Sequence, residues 1–360
     1  AYILKTAIRH VFGRTPKGQL LPEGITSQIL TLIMGDKIFN VAQSRAMMSE
    51  SNKTVHAKNG TLAQADKDKW ALKVEGQGWN GFWIPYKDQS SEERLKADLE
   101  KKLSPVDVGA GCDIVMFAIH GGGMIYGEAL MFLSNYRSWM KELQVNHKIK
   151  IGFLSVEYSL APETPYPGAL NECVAAYKHL VEYYGVDPRR IVMCGDSAGA
   201  NLCLTSVLKL RDDSPHINLP AGQVLISPWV MCPKPVKTSP HDYITTNGLC
   251  LFMDAYTQGQ TEALTSPYVS PIGAPTLKGM PRMMIFIGGV ETLRPSIEDF
   301  IQKATADGVD VQYEVKQGKV HDYALIEEVA GAKTVQEATQ SIGRFVAQTQ
   351  ERYTGVSGPR

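Results

Sequence analysis

The sequence has no surplus of charge, its 37 lysines and arginines being matched by 37 aspartates and glutamates. A nucleic-acid binder needs basic excess to release counterions from phosphates, so that class is set aside. Attraction to an anionic membrane surface is equally unsupported. Long apolar runs are missing too: Ile29 to Met34, the longest near the start, falls far short of the roughly 20 residues that span a bilayer. The six cysteines form no CxxC pair, which removes zinc ribbons and dithiol redox motifs. Cys112 and Cys194 sit instead in apolar, strand-like runs, where a thiol behaves as a small hydrophobe. No basic-then-apolar leader opens the chain. Together with the cysteine pattern, this sets the expectation of a reducing, cytoplasmic setting. Acceptor triplets for glycosylation occur at Asn52 and Asn59, a pattern common by chance.

What is present is the composition of a globular enzyme, with 44 % hydrophobic and 21 % charged residues. A chain of 360 residues buries enough surface to need no disulfide staples. Residues 1–69 read as helices and loops, with Ile25 to Met48 at helical spacing and Thr26 or Ser27 as the expected cap. From Trp70 the pattern changes to strands, first Trp70 to Val74 and Gly81 to Pro85. Further strands are expected at Ile114–Ile119, Ile151–Val156, Ile191–Cys194, Gln223–Ser227, Arg282–Gly288 and Asp310–Val315. They alternate with helices expected at Leu130–Leu143, Pro167–Tyr184, Ala198–Leu210, Ser296–Asp307 and Lys333–Gln350. Such alternation predicts an α/β protein with a mostly parallel sheet. The stretch from Pro228 to Met280 is too long for a plain connection and reads as a lid or binding insertion. Residues 70–360 are thus expected to form one catalytic domain with an insertion at about 228–280, and residues 1–69 a helical cap region.

Gly195-Asp196-Ser197-Ala198-Gly199 lies between an apolar strand and a helix, the context in which a serine hydroxyl is raised above a sheet edge. The following amide, Ala198 N–H, then sits at a helix N-terminus, where the unpaired donors and the dipole favour an oxyanion. Upstream, His120-Gly121-Gly122-Gly123 ends another strand, and its glycines let backbone amides approach a reacting carbonyl. A serine nucleophile needs a base, and the base an orienting acid. Among the eight histidines, His321 follows the last strand at the sheet's carboxyl edge, where ligands meet open α/β sheets. Glu291 follows the strand Met283–Ile287 at the same edge. Glu298 and Asp299 compete for the acid role but fall within a helical pattern. The order Ser197, Glu291, His321 is the nucleophile–acid–base order of α/β-hydrolases.

These segments resemble the hormone-sensitive-lipase branch of the serine esterases, also called bacterial family IV. The matching residues are His120 to Met124, Val156 to Glu163 with Pro165 and Pro167, and Gly185 to Ile191. They continue through Gly195 to Leu202, Ser227-Pro228-Trp229 and Ser270-Pro271. The resemblance implies an α/β-hydrolase fold, a mostly parallel sheet of about eight strands flanked by helices, with a helical cap over the site. It implies oxyanion amides at Gly122, Gly123 and Ala198, with Gly121 less certain, and supporting places for His120 and Asp196. Three positions depart from the family pattern. Glu291 stands where aspartate is usual, Pro295 occupies the second acidic position, and Asp322-Tyr323 follow His321 where Gly-Phe is common.

The activity implied is hydrolysis of a carboxylic ester through an acyl-enzyme, needing no cofactor and no metal. The partner expected is a small-molecule ester of short or medium chain, or an acylated metabolite, with no nucleic acid and no integral membrane segment. A homodimer is one option for the oligomeric state. An acyltransferase or deacetylase in metabolite biosynthesis is the first alternative, and a non-catalytic receptor of the same fold the second. Tyr126, Phe132, Trp229, Phe252, Met253 and Tyr256 are candidates for an apolar pocket, against the simpler expectation that such aromatics belong to the core.

Overall fold

The computed structural model describes residues 16–34, 40–43, 45–46, 70–86, 108–231 and 238–354. The acceptor triplets at Asn52 and Asn59, Cys232 and all of the charged stretch Lys87 to Ser104 lie outside the described residues. Eight strands form one sheet: β1 Leu72–Gly76, β2 Trp79–Ile84, β3 Ile114–Ile119, β4 Ile151–Val156, β5 Ile191–Asp196, β6 Gly222–Ile226, β7 Arg282–Gly288 and β8 Val311–Lys316. Their order is β1-β2-β4-β3-β5-β6-β7-β8. Strand β2 runs antiparallel to β1 and β4, and every other pairing is parallel. The expected α/β-hydrolase architecture is therefore what the chain adopts.

The inner strands β3 to β7 read as nearly unbroken apolar runs because both faces are covered. Period-two alternation sorts their side chains. Val115, Phe117, Ile119, Met193, Leu225 and Ile285 pack on one face with helices α3 Gly168–Glu182, α4 Ser197–Asp213 and α7 Arg294–Ala306. Met116, Ala118, Phe153, Val192, Cys194, Val224 and Phe286 pack on the other with α2 Leu133–Glu142, the short α8 Glu327–Ala330 and α9 Ala332–Thr354. Cys112, Cys173, Cys194 and Cys203 are buried free thiols in this core, so they fill space as small hydrophobes. Helix α7 begins two residues before its expected start because Pro295 fits a first turn, where no N–H is needed.

The N-terminal helix α1 spans Leu21–Met34, and its start corrects one expectation. Thr26 and Ser27 do not cap it but lie inside it, with Thr26 Oγ1 donating back to Pro22 O. The start is fixed instead by Glu23, whose Oε2 accepts the Leu20 N–H at 3.0 Å, the return half of a capping box. Glu23 is also buried against Lys319, two residues before His321, with Nζ–Oε distances of 2.7 Å. Arg45, beyond α1, donates to the carbonyls of Ile125 and Ala161 and forms a two-pronged pair with Glu163. Between β6 and β7 the insertion carries α5 Thr246–Thr257 and the short α6 Thr261–Thr265. Among the described residues, no helix is long and apolar enough to cross a membrane.

Removing one partner of a buried ion pair strands the other charge, whereas replacing both is far milder. Glu23→Gln is expected to lower unfolding free energy by about 3–5 kcal/mol, and Glu23→Leu with Lys319→Met to recover most of it. Urea denaturation of the two variants checks this; equal losses would show that the pair is not desolvated.

Candidate active site

Strand β5 ends at Asp196 and α4 begins at Ser197, with no residue between them. The reversal forces Ser197 to φ +49°, a left-handed conformation that costs a non-glycine residue about 1–2 kcal/mol. Such a turn fits only because its flanks lack side chains: a Cβ on Gly199 would overlap the carbonyl oxygens of Ile119 and His120. The helix N-terminus thereby presents Ser197 and the Ala198 amide together.

The glycine loop after β3 is held from three sides. Asp196 Oδ1 accepts the Gly121 N–H at 2.9 Å, so that amide is committed to the loop's own support. Tyr158 OH donates to the carbonyls of His120 and Gly121. Its ring stacks on His120 with centroids 4.2 Å apart. Burial lowers the His120 imidazole to about 4, keeping it neutral beside the Gly121 carbonyl 2.8 Å from Nδ1. Gly122 sits at φ +104°, where a Cβ would strike the Tyr126 carbonyl. With Gly121 committed, Gly122 and Gly123 are the loop glycines that line the cavity with Ser197.

His321 follows β8 and is 1 % exposed. Its Nδ1 faces Glu291 Oε2 at 3.4 Å, an ion-pair separation, and both side chains are buried. Glu291 stands on the turn after β7, its N–H donating to Gly288 O at 3.2 Å. The competing Glu298 is elsewhere, paired with Arg294 on the exposed face of α7. Nε2 of His321 faces Asp322 Oδ2 at 3.2 Å. Asp322 is also left-handed at φ +54°, and its N–H donates to Ser227 Oγ at 3.0 Å. Ser227, at the end of β6, has φ +44°. Three strained non-glycine residues thus converge on one sheet edge, the usual place for strain at a functional site.

Burial dominates the electrostatics. It lowers the His321 imidazole to about 4, against the charge of Asp242 pulling the other way. It raises Glu291 to about 8, opposed by the Ser227 hydroxyl, the Gly288 backbone and Arg294. Asp322 is pushed well above the carboxylate range by burial and then by the charges of Asp196, Glu291 and Asp242. Asp196 rises to about 7 and Asp242 to about 6, both chiefly through burial.

A cavity of about 800 Å³ opens over Ser197 and His321. Near the serine its wall is Gly122, Gly123, Tyr126, Trp229, Tyr243 and Phe252, joined by Leu30 of α1 and by Ile244 and Leu249 of the insertion. Farther out it runs between α2 and α9, past Arg137, Lys141 and Gln336. Of the six expected aromatic and Met candidates, Tyr126, Phe132, Trp229 and Phe252 line the cavity, while Met253 and Tyr256 are buried core residues. Sequence reading passed over Tyr243 and Asp242, which stand in a polar stretch without periodicity.

A family model described as the α/β hydrolase fold matches residues 116–325. An esterase of Acinetobacter venetianus is 29 % identical over 59 % of this chain and 68 % of its own. An acetyl-hydrolase of Streptomyces hygroscopicus is 33 % identical over 45 % of this chain and 54 % of its own. Bovine hormone-sensitive lipase is 36 % identical over 37 % of this chain, but only 17 % of the lipase is matched. The crystal structure of an esterase from the bacterial hormone-sensitive lipase family superposes with a TM-score of 0.71 at 23 % identity. That superposition covers 91 % of this chain and 98 % of the other.

Burial favours the neutral form of the Asp322 carboxyl; once ionised, it holds a proton on Nε2 and takes the imidazole away from Ser197. Reaction of Ser197 with a fluorophosphonate probe should therefore be lost as pH falls through about 4, where His321 protonates, and should decline again at higher pH as Asp322 ionises. Asp322→Asn should abolish that upper decline and leave the rate at the optimum within about threefold, since the amide is a neutral isostere of the protonated carboxyl. Superimposable pH profiles would refute this role for Asp322.

Proposed function

Because the chain belongs to the α/β-hydrolase fold family, in its hormone-sensitive-lipase-like branch, we propose that it is a serine carboxylic-ester hydrolase working through Ser197, His321 and Glu291. The observation that carries this reading is a left-handed serine at the head of α4 sharing a cavity with a buried imidazole backed by a buried carboxyl group. The names of the relatives, an esterase and an acetyl-hydrolase among them, point the same way.

In this mechanism His321 accepts the Ser197 proton as Oγ attacks the ester carbonyl, and Glu291 in its ionised form holds the ring and stabilises the imidazolium. A base for this step must be neutral beforehand, which the low imidazole pKa secures. The tetrahedral oxyanion is received by the amides of Gly122, Gly123 and Ala198. His321 then gives the proton to the departing alcohol, and water activated by the same ring releases the acid. Glutamate in place of aspartate adds one methylene, which the turn Gly288–Glu291 absorbs while keeping Oε2 on Nδ1.

The substrate is a neutral ester of short to medium chain or an acylated metabolite. Apart from Asp196, Ser197, His321 and Asp322 at the sheet edge, the cavity wall near the serine is mainly aromatic and aliphatic, with Arg137, Lys141 and Gln336 along the outer groove. Helix α1 and the 228–280 insertion serve as the cap, since Leu30 of the one and Ile244, Leu249 and Phe252 of the other close over the nucleophile.

Ser197→Ala should reduce hydrolysis of p-nitrophenyl acetate and butyrate by on the order of 10⁶-fold and abolish fluorophosphonate labelling, with an unchanged circular dichroism spectrum. Retained turnover would overturn the assignment. Glu291→Gln should cost about 10⁴-fold in kcat, as when a triad acid becomes an amide; a loss below tenfold would remove Glu291 from the acid role.

A further inference from the structure

Asp242 belongs to none of the motifs that mark the catalytic residues, yet it touches the backbone of both loops that carry the acid and the base. Its Oδ2 accepts the N–H of Thr292, the residue after Glu291, at 2.6 Å. Its Oδ1 accepts the N–H of His321 itself at 3.2 Å and that of Tyr243 at 2.9 Å. The carboxylate is 2 % exposed. A buried carboxylate is costly unless its lone pairs are satisfied, and here peptide donors from three places satisfy them. The adjoining residues extend the grip. Tyr243 OH donates to the His321 carbonyl at 3.1 Å, so one two-residue segment holds both ends of the His321 residue. Thr292 Oγ1 donates to Ile244 O at 2.7 Å and accepts from Ser239 N at 3.2 Å.

Resting on the proposed triad, we infer that Asp242 is a positioning residue for the hydrolysis, a carboxylate clamp that sets the separation and alignment of Glu291 and His321. The need for it is visible in the geometry. Glu291 is a longer acid on a turn, and it meets Nδ1 at 3.4 Å rather than in a short, aligned hydrogen bond. A pair this loose depends on its two loops being held relative to each other; the Val290 N–H bonds to Lys319 O at 3.0 Å, and Asp242 adds a carboxylate that bonds to both loops, at Thr292 and at His321 itself. Its charge also acts on the ring, favouring the imidazolium against the burial that opposes it. The other titratable groups facing the ring are Glu291 from the turn after β7, Asp322 next in the chain and Tyr243 from the same segment as Asp242. Asp196 reaches it only through Asp322.

The test compares the full-length wild type with Asp242→Asn and Asp242→Glu, using p-nitrophenyl butyrate and sites counted by fluorophosphonate titration. Asp242→Asn turns an amide NH₂ toward one of the two loop amides and removes the charge. Its kcat per titrated site is expected to fall 10- to 100-fold with KM within about threefold, a misplacement effect. Asp242→Glu keeps a carboxylate but displaces it, so kcat should fall there too. Wild-type kcat per titrated site in Asp242→Asn would overturn the inference, because a purely structural role changes only the number of active sites. Should Asp242→Asn fail to fold, Tyr243→Phe breaks the same bracket at the His321 carbonyl. A drop in kcat supports the clamp, and a change confined to KM refutes it. A wild type that neither labels nor turns over would instead refute the hydrolase reading on which the clamp rests.

Discussion

Everything at this site is measured from one backbone constraint, the left-handed serine wedged between a parallel strand and the helix that follows it. The strand fixes where Ser197 stands, and the helix fixes which amides stand beside it. The turn exists only where neighbouring chains leave room, and Gly199 supplies that room against the end of β3. Because β3 continues directly into the glycine loop, the close contact that permits the elbow also places Gly122 and Gly123 next to it. The Asp196–Gly121 hydrogen bond then ties the two loops at their bases. The proposed nucleophile and oxyanion donors are thus one mechanical unit built on β3 and β5, adjacent strands in the sheet.

The proposed acid and base form a second unit, built on β7 and β8, and dehydration governs it. Glu291, His321, Asp322, Asp242 and Asp196 are all nearly or wholly withdrawn from water. Burial disfavours every ionised form, so the carboxyl groups rise and the imidazole falls. The consequence is a base kept free of its proton at neutral pH, in surroundings where an imidazolium, once formed, is drawn strongly to the nearest carboxylate. Backbone amides from Thr292 and His321 supply Asp242 with the hydrogen bonds that water would otherwise give.

The sequence disclosed the architecture through periodicity: apolar runs of strand length, alternating with helices, describe this sheet to within a few residues. It also disclosed Ser197, the glycine loop, Glu291 and His321, because each sits at the end of a readable strand, and the structure brings them to one edge. Asp242 escaped for a physical reason. It acts through space on peptides 50 and 79 positions away, from a coil whose residues follow no period. Asp322 was visible only as a departure from the expected residue, and its place on Nε2 depends on a left-handed φ that composition does not encode. The start of α1 was misplaced because a serine and a threonine look like caps, whereas Glu23 performs the task by reaching back. Met253 sits on a different side of α5 from Phe252, whereas Tyr256, one turn beyond Phe252, is buried against Tyr166 rather than at the cavity.

The fastening of α1 has a consequence for how this protein can change. Ser27 and Thr31 donate to the carbonyls of His241 and Asp242, and Glu23 is locked to Lys319 just before His321. The helix that helps to shape the pocket is thereby joined to the loops that hold the acid and base. Exchanging or remodelling it to admit a different ester would also disturb those loops, so selectivity and turnover cannot drift independently here. New specificities are more accessible along the outer groove between α2 and α9, where Arg137, Lys141 and Gln336 can vary without pulling on the catalytic edge.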